Sequence, residues 1–311
     1  MSFRTVVVEK RGKLDLRMGY LVIRLEDETR RIFLDEINTL IVENPACCVT
    51  GCLLAELTAR KIKVIFCDEK HSPFAELLPC HGHSECARKL LEQIQWDSDF
   101  CQLLWTRIIT EKIRNQALHL LEKGKEEEMR LLSSYLKEMQ LGDSSNREGH
   151  AAKVYFNVIF GNGFRRGDGT AFDSALNYGY SLILSAFNRA IIAGGFFTQL
   201  GIAHHNVFNH FNLSCDLMEP FRIFVDRWTC DCDFQKFESD EKHKMLEIFN
   251  QAFFINGESR RLDDCIMIYV RSVFKAIAFK DISAVKFCFW RKVDDYNTEE
   301  RNICCNSESN L

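Results

Sequence analysis

The chain lacks any run of about 18 apolar residues, the length a helix needs to cross a bilayer. Its start, Met1-Ser2-Phe3-Arg4-Thr5-Val6-Val7-Val8-Glu9, also lacks the apolar core of a signal peptide. A cytoplasmic protein without a membrane segment is therefore expected. Positive charge is not in excess: 40 Lys and Arg stand against 44 Asp and Glu, a formal net charge of −4. That argues against a surface that is basic throughout. It leaves room for a local basic patch, because phosphate affinity follows clustered Lys and Arg rather than the total. No P-loop, dinucleotide fingerprint or internal repeat is found, so nothing points to chemistry driven by a nucleotide.

What is present suits a globular protein. Hydrophobic residues make up 46% and charged residues 27% of 311, and 25 Phe imply an aromatic-rich interior. The 14 cysteines are scattered through a long chain with no export signal, which argues against a disulfide framework. Cys67, Cys101, Cys215 and Cys288 read as small buried hydrophobes. The stretch Cys80-His81-Gly82-His83-Ser84-Glu85-Cys86 has soft ligands at short spacing. Zinc sites usually combine two spaced pairs, and the nearest partner, Cys230-Asp231-Cys232, has one intervening residue where two to four are usual. A polar loop is the better reading.

The first 70 or so residues are β-branched and alternating. Strands are expected at Thr5–Val8, Tyr20–Ile23, Arg31–Leu34, Thr39–Val42 and Lys63–Cys67, with a helix over Thr50–Arg60. Pro73, Pro79 and the His/Gly/Ser-rich stretch to Ser84 mark a linker. Beyond residue 85 the period becomes helical, with Leu90, Leu91, Ile94, Leu103, Leu104, Ile108 and Ile109 on helical spacings. Further helices are expected over Gly149–Phe160, Asp173–Ala193, Glu219–Trp228, Asp240–Phe254 and Leu262–Phe279. The fold class is α+β: a small β-rich domain over residues 1–80, a larger all-helical domain over 85–301, and a flexible tail over 302–311.

Three residues far apart in sequence could share a site. Glu148 lies in Ser145-Asn146-Arg147-Glu148-Gly149-His150-Ala151-Ala152, where Ser145-x-x-Glu148 fits a helix capping box. Alternatively the carboxylate projects into a cleft at the helix N-terminus. His204 follows Gly201-Ile202-Ala203 and precedes His205-Asn206; a histidine there is either structural or a ligand. Glu219 sits in Asp216-Leu217-Met218-Glu219-Pro220-Phe221-Arg222, and either Asp216 or Glu219 could cap a helix that Pro220 begins. Asp216 and Glu219 would share a helical face, and a divalent cation is one way to relieve their repulsion. The polar segment between, with Asn206, Asn209, His210 and Asn212 among Phe208, Phe211 and Leu213, reads as a turn lining a cleft.

These motifs, in this order, resemble the CRISPR-associated protein one family, the integrase subunit of the spacer-acquisition machinery. The resemblance spans essentially the whole chain, and Tyr155-Phe156-Asn157 and Phe160-Gly161 resemble most the form found in type II CRISPR systems. It implies that Glu148, His204 and Glu219 are both catalytic residues and metal ligands, with His204 rather than His205 in that role. Two carboxylates and an imidazole suit Mg²⁺ or Mn²⁺. It further implies DNA as substrate, with a 3′-hydroxyl attacking a phosphodiester at a repeat end; hydrolysis by the same site would instead make a nuclease. Arg147, Lys153, Arg165, Arg166 and Arg222 are candidate DNA contacts, each otherwise a solvated charge. Implied partners are a second copy of the chain, paired through the β-rich domain, and a small CRISPR-associated subunit. In type II systems the effector nuclease and a ring-forming accessory protein also take part. The reading from a different class is a DNA-binding scaffold in which the three residues are caps and core polars.

Overall fold

Short β-branched stretches interrupted by charged turns cannot bury both faces as isolated strands, and the N-terminal region solves this by stacking two sheets around one helix. The computed structural model describes residues 4–69, 71–78, 85–232 and 235–291. The chain divides into two compact units, Met1–Gly82 and His83–Leu311. Residues 80–84 of the Cys-His stretch and the tail over 302–311 lie outside the described residues.

The first unit contains β1 (Arg4–Val8), β2 (Lys13–Arg17), β3 (Tyr20–Arg24), β4 (Thr29–Phe33), β5 (Ile37–Val42), β6 (Cys48–Val49), α1 (Gly51–Ala59), β7 (Lys63–Cys67) and β8 (Pro73–Glu76). One sheet has the order β1-β5-β7-β8 and the other β4-β3-β2-β6. β1, β5 and β7 run parallel, while β2, β3 and β4 form antiparallel hairpins. The β2–β3 turn holds Met18 and Gly19 at φ 49° and 79°, the left-handed pair a two-residue hairpin needs. Leu14, Leu21, Leu34, Ile37 and Leu40 meet Leu53 and Leu57 of α1 in a fully buried core. Each such side chain contributes roughly 1.5–3 kcal/mol of burial. Pro73, read as linker, instead opens the edge strand β8, where a residue without an N–H is tolerated.

The second unit is mostly helical: α2 (Cys86–Ile94), α3 (Ser98–Glu122), α4 (Glu126–Lys137), α5 (Arg147–Phe160), α6 (Ala171–Ala193), α7 (Asn212–Met218), α8 (Arg222–Asp231), α9 (Ser239–Leu246) and α10 (Leu262–Phe279). It is not all-helical. Strands β9 (Ala252–Ile255), β10 (Glu258–Arg261) and β11 (Cys288–Phe289) form an antiparallel sheet of order β10-β9-β11. The expected helix over Asp240–Phe254 therefore breaks into α9, a 3-10 turn over Glu247–Asn250, and β9. The reason is local: Asn256-Gly257, at φ 53° and 78°, makes a hairpin turn between β9 and β10. Phe253 and Ile255 alternate into the core from β9.

Helix α3 positions the site. Its Asp97 cap accepts from the N–H groups of Asp99 and Phe100, and most of its length is buried on every side. Buried among the apolar residues are Glu111, Arg114, Asn115, Gln116 and His119. Buried polar groups need partners; Glu111 pairs with Arg114, Asn115 Nδ2 donates to the Pro220 carbonyl, and His119 Nδ1 lies 2.7 Å from Tyr155 Oη.

Candidate active site

Glu148 lies in the first turn of α5, and the Ser145–Glu148 capping box, one of its two readings, does not form. Asp143 caps this helix: its Oδ1 accepts from Arg147 N at 2.7 Å and its Oδ2 from Glu148 N at 3.0 Å. Ser145 Oγ is buried with no hydrogen-bond partner, and Asn146 takes the left-handed φ of 52°. The Glu148 side chain is thus free of cap duty, and its Oε1 accepts from Lys112 Nζ of α3 at 2.6 Å.

Glu219 reaches the same nitrogen from another direction. It stands where α7 passes into a 3-10 turn, Glu219–Phe221, which Asn115 of α3 fastens through the Pro220 carbonyl. Its Oε2 accepts from Lys112 Nζ at 2.6 Å and its Oε1 from Arg222 Nε at 3.0 Å. Burial opposes ionisation of this carboxyl, but the Arg222 and Lys112 cations prevail and hold it down to about 2. Lys112 is likewise disfavoured as a cation by burial, yet Glu219 and Glu148 push its pKa up. Two carboxylates, one from α5 and one from the 3-10 turn after α7, therefore converge on one buried cation position.

His204 comes from a segment without regular structure, and one carboxylate organises it. Asp216, fully buried inside α7 rather than at a cap, accepts from the N–H groups of Ile202, Ala203 and His204 at 2.6, 3.0 and 3.1 Å. It also lies 2.5 Å from His204 Nδ1. In the neutral ring a proton on Nδ1 donates to this carboxylate and Nε2 keeps its lone pair, the arrangement usual for a metal-ligating histidine. The bond to Asp216 raises the His204 pKa. Gly201 is required here for close approach: a Cβ would lie 2.3 Å from the His204 carbonyl oxygen and 2.7 Å from Asp216 Oδ2. Asp216 and Glu219, read as a possible joint cation pair, have separate duties.

The three ligand candidates are not gathered into one tight cluster. Among the described residues, Glu148, His204 and Glu219 do not bring a ligand atom each within 4.8 Å of one another. Glu148 and Glu219 line a cavity of about 190 Å³ together with Lys112, Arg166, Tyr180, Arg222 and Asp226. His204 lines a wider depression of about 880 Å³ with Trp105, Cys101, Asn206 and His210. Trp105 meets the His204 ring edge-on at 5.6 Å, so α3 touches both halves of the site. The Asn-rich segment does line this depression, held by Asn212 Nδ2 donating to the Gln199 and Asn206 carbonyls. Phe208 of this segment is 89% exposed.

The candidate DNA contacts divide by environment. Lys153 on α5 and Arg165 in the glycine-rich segment after it are exposed. Arg166 pairs with Asp173 at 3.4 Å and lies over the Tyr180 ring. Arg147 pairs with Glu138 at 2.7 Å and lies over the Tyr135 ring. Arg222 is committed to Glu219 and faces Tyr180. Lys112 was not among the residues singled out from sequence. Its signal was there: Glu111-Lys112-Ile113-Arg114-Asn115-Gln116 puts a polar run in the middle of a long apolar helix, where buried charge must serve something. The described cysteines are free thiols, with Cys67 and Cys288 buried as expected and Cys101 and Cys215 only partly so.

The donor set fits a hard divalent cation: two carboxylates already share one positive centre, and an imidazole with a free Nε2 lies nearby. A comparison with known families decides the lineage. The chain matches the family described as CRISPR associated protein Cas1 over residues 6–243. It belongs to that family. A Cas1 protein named CRISPR-associated endonuclease Cas1, from Neisseria meningitidis serogroup C (strain 8013), is 32% identical over 226 residues, 73% of this chain and 74% of its own. A second, CRISPR-associated endonuclease Cas1 1 from Francisella tularensis subsp. novicida (strain U112), is 26% identical over 68% of this chain and 73% of its own. Among solved structures, a casposase bound to integration product has the same fold with a TM-score of 0.76 at 17% identity, covering 99% of this chain and 100% of that one. A Cas1 protein from Thermotoga maritima gives 0.70 at 14% identity over 88% and 97%. A chain of a Cas6-RT-Cas1–Cas2 complex gives 0.71 at 18% identity; there this chain covers 91% of itself and only 36% of the longer one. Among the described residues no helix is long and apolar enough to cross a membrane.

Proposed function

We propose that this Cas1 protein is a metal-dependent DNA integrase and endonuclease of CRISPR adaptation, joining the 3′-hydroxyls of short DNA fragments to repeat ends. The observation that carries the reading is the convergence of Glu148 and Glu219 on one cation position, with His204 held by Asp216 beside it. Glu148, Glu219 and His204 Nε2 would hold Mg²⁺ or Mn²⁺, which when bound polarises a phosphodiester and offsets charge building on it.

The chain's own groups do the rest. Asp216 keeps the His204 proton on Nδ1 and so keeps Nε2 available. Arg222 and Lys112 keep Glu219 ionised at neutral pH. Arg166 and Arg222 line the same cavity, paired with Asp173 and Glu219, and exposed Lys153 and Arg165 are the candidates most open to an incoming phosphate; Arg147 lies beside Glu148 at the start of α5. In strand transfer the 3′-oxygen forms a new bond to the phosphorus at the repeat end, and the bond from that phosphorus to the 3′-oxygen of the adjoining nucleotide in the target strand breaks. The proton lost by the attacking hydroxyl is matched by the one gained on the departing oxygen. One phosphodiester replaces another, so no nucleoside triphosphate is consumed, in keeping with the missing P-loop. Water in place of the 3′-hydroxyl makes the same site an endonuclease, the activity in the names of the relatives. We place a second copy of the chain and a small Cas2-like subunit in the working assembly, the latter because a fold neighbour is part of a Cas1–Cas2 complex. A type II effector nuclease and a ring-forming accessory protein join that proposal through the motif resemblance alone.

The test is strand transfer. Protein and its small partner subunit are incubated with Mn²⁺, a short duplex with free 3′-hydroxyls and a supercoiled plasmid carrying a repeat. Covalent joining by wild type, lost in Glu148→Ala and His204→Ala, is expected. Cutting without joining would leave a nuclease, and no activity with DNA binding intact would leave a scaffold.

A further inference from the structure

The geometry points to Lys112 as a built-in counter-ion that occupies the cation position of this site and makes metal uptake depend on an incoming DNA phosphate. The inference rests on the function proposed above and concerns how the site is loaded. Lys112 Nζ lies 2.6 Å from Glu148 Oε1 and 2.6 Å from Glu219 Oε2, and its side chain is only 11% exposed. The ammonium therefore sits where a shared divalent ion would be held by the same two carboxylates.

Charge balance shows why this matters. The two carboxylates are already matched by two cations in direct contact, Lys112 and Arg222, since Arg222 Nε is 3.0 Å from Glu219 Oε1. Arg166 pairs with Asp173, while Asp226, which accepts from the neutral Tyr180 hydroxyl, is disfavoured as an anion by burial. A divalent ion added beside these two matched pairs would leave uncompensated positive charge in a largely buried place, which is costly. Lys112 must give up its carboxylates, and added negative charge must arrive. A DNA phosphodiester supplies that charge and a new partner for the ammonium. Metal and DNA then bind with positive coupling, each raising the other's affinity by the same factor. The nucleolytic centre would stay unloaded until its substrate is seated.

The expected result is read by Mn²⁺ titration, followed by calorimetry and by the electron paramagnetic resonance signal of free Mn²⁺. Wild type binds Mn²⁺ weakly alone and at least about tenfold more tightly with a short duplex carrying a 3′-hydroxyl. Lys112→Met binds Mn²⁺ at least about tenfold more tightly than wild type without DNA, and the duplex adds little; both differences correspond to one decade in the equilibrium constant. Equal affinity of wild type and a folded Lys112→Met without DNA would overturn the inference. Mn²⁺ bound by neither protein, even with DNA, would overturn the metal site itself and the function resting on it. Should Lys112→Met not fold, the wild type answers alone. With ¹⁵N-labelled lysine, a buried ammonium held by two carboxylates gives a slowly exchanging signal, assigned by comparison with folded Lys112→Arg. Loss or displacement of that signal when Mg²⁺ and duplex are added together is expected. A signal unmoved at saturating Mg²⁺ and duplex would overturn the inference.

Discussion

The two halves of the site are held by different physics. Glu148 and Glu219 reach it from helix termini and are fixed by charge, through Lys112 and Arg222. His204 stands on irregular backbone and is fixed by neutral N–H groups gathered on one carboxylate, Asp216. The charged half stands on helix ends whose two carboxylates share one ammonium, and under the function proposed above a metal would compete with that ammonium for the same oxygens. The imidazole half lacks regular backbone structure and is fixed by its hydrogen bonds to Asp216. A metal site needs both kinds of control, one over affinity and one over ligand direction.

The comparison can be broken most severely at the carboxylates. Glu219→Ala should lower stability by about 3–5 kcal/mol, since it strands Arg222 and leaves Lys112 with Glu148 alone in a largely buried place. Glu148→Ala, at a more open position, should unfold little more readily than wild type. Both should lose strand transfer by more than the roughly 10–100-fold typical of a residue that only supports a ligand. Chemical denaturation beside the joining assay separates the two, and equal destabilisation would collapse the distinction. At the other half, Asp216→Asn should cost about 10–100-fold in Mn²⁺ affinity and activity. It should also cost about 1–3 kcal/mol of stability, because the amide cannot accept all four bonds. An unchanged Mn²⁺ affinity would show that His204 does not depend on it.

A smaller contrast separates two histidines by pH. Burial lowers His119 to about 4, so below its unfolded value near 6.5 the unfolded chain takes up a proton that the folded chain resists. Stability present above that value should fall by up to a few kcal/mol as the pH drops toward about 4, and His119→Gln should flatten that part of the melting-temperature profile. His204 has the opposite sign. Its bond to Asp216 raises its pKa, so its contribution to stability is present below the unfolded value and is lost as pH rises through the raised one. For Mn²⁺ the same proton must leave, so affinity should weaken as pH falls through that raised value. Titrations of Mn²⁺ binding with wild type and His204→Ala should differ only above it. The smallest effect concerns the cap of α5: Asp143→Ala should cost about 1 kcal/mol, whereas Ser145→Ala should stay within about 0.5. Thermal melts that reversed this order would restore the capping box.

Much of this was legible from residue patterns, and the exceptions share a cause. The helix over Leu262–Phe279 stands as expected, and α6 differs from its expected span only at the start. Alternation and helical period are local, and so are their signals. The helix expected over Asp240–Phe254 failed because the turn chemistry of Asn256-Gly257 lay just beyond it and claimed its last residues for a strand. At the site, local motifs drew attention to Glu148, His204 and Glu219, but not to what holds them. Ser145 and Glu148 satisfied the capping pattern on paper, yet Asp143, one turn earlier, took both N–H groups. Lys112 lies 36 and 107 positions from its two partners, a pairing that no local period announces.

Helix α3 has a mechanical consequence. Trp105 and Lys112 stand seven residues apart on it, about 10 Å along the axis at 1.5 Å per residue, and one meets the imidazole half while the other meets the carboxylates. The helix is thus a fixed-length ruler between the two halves, and it cannot slide for one without carrying the other. Its central amides should be among the last in the molecule to exchange with deuterium, opening only when the whole unit unfolds. Motion during turnover would then belong to side chains and the His204 segment, sweeping against a gauge that does not bend.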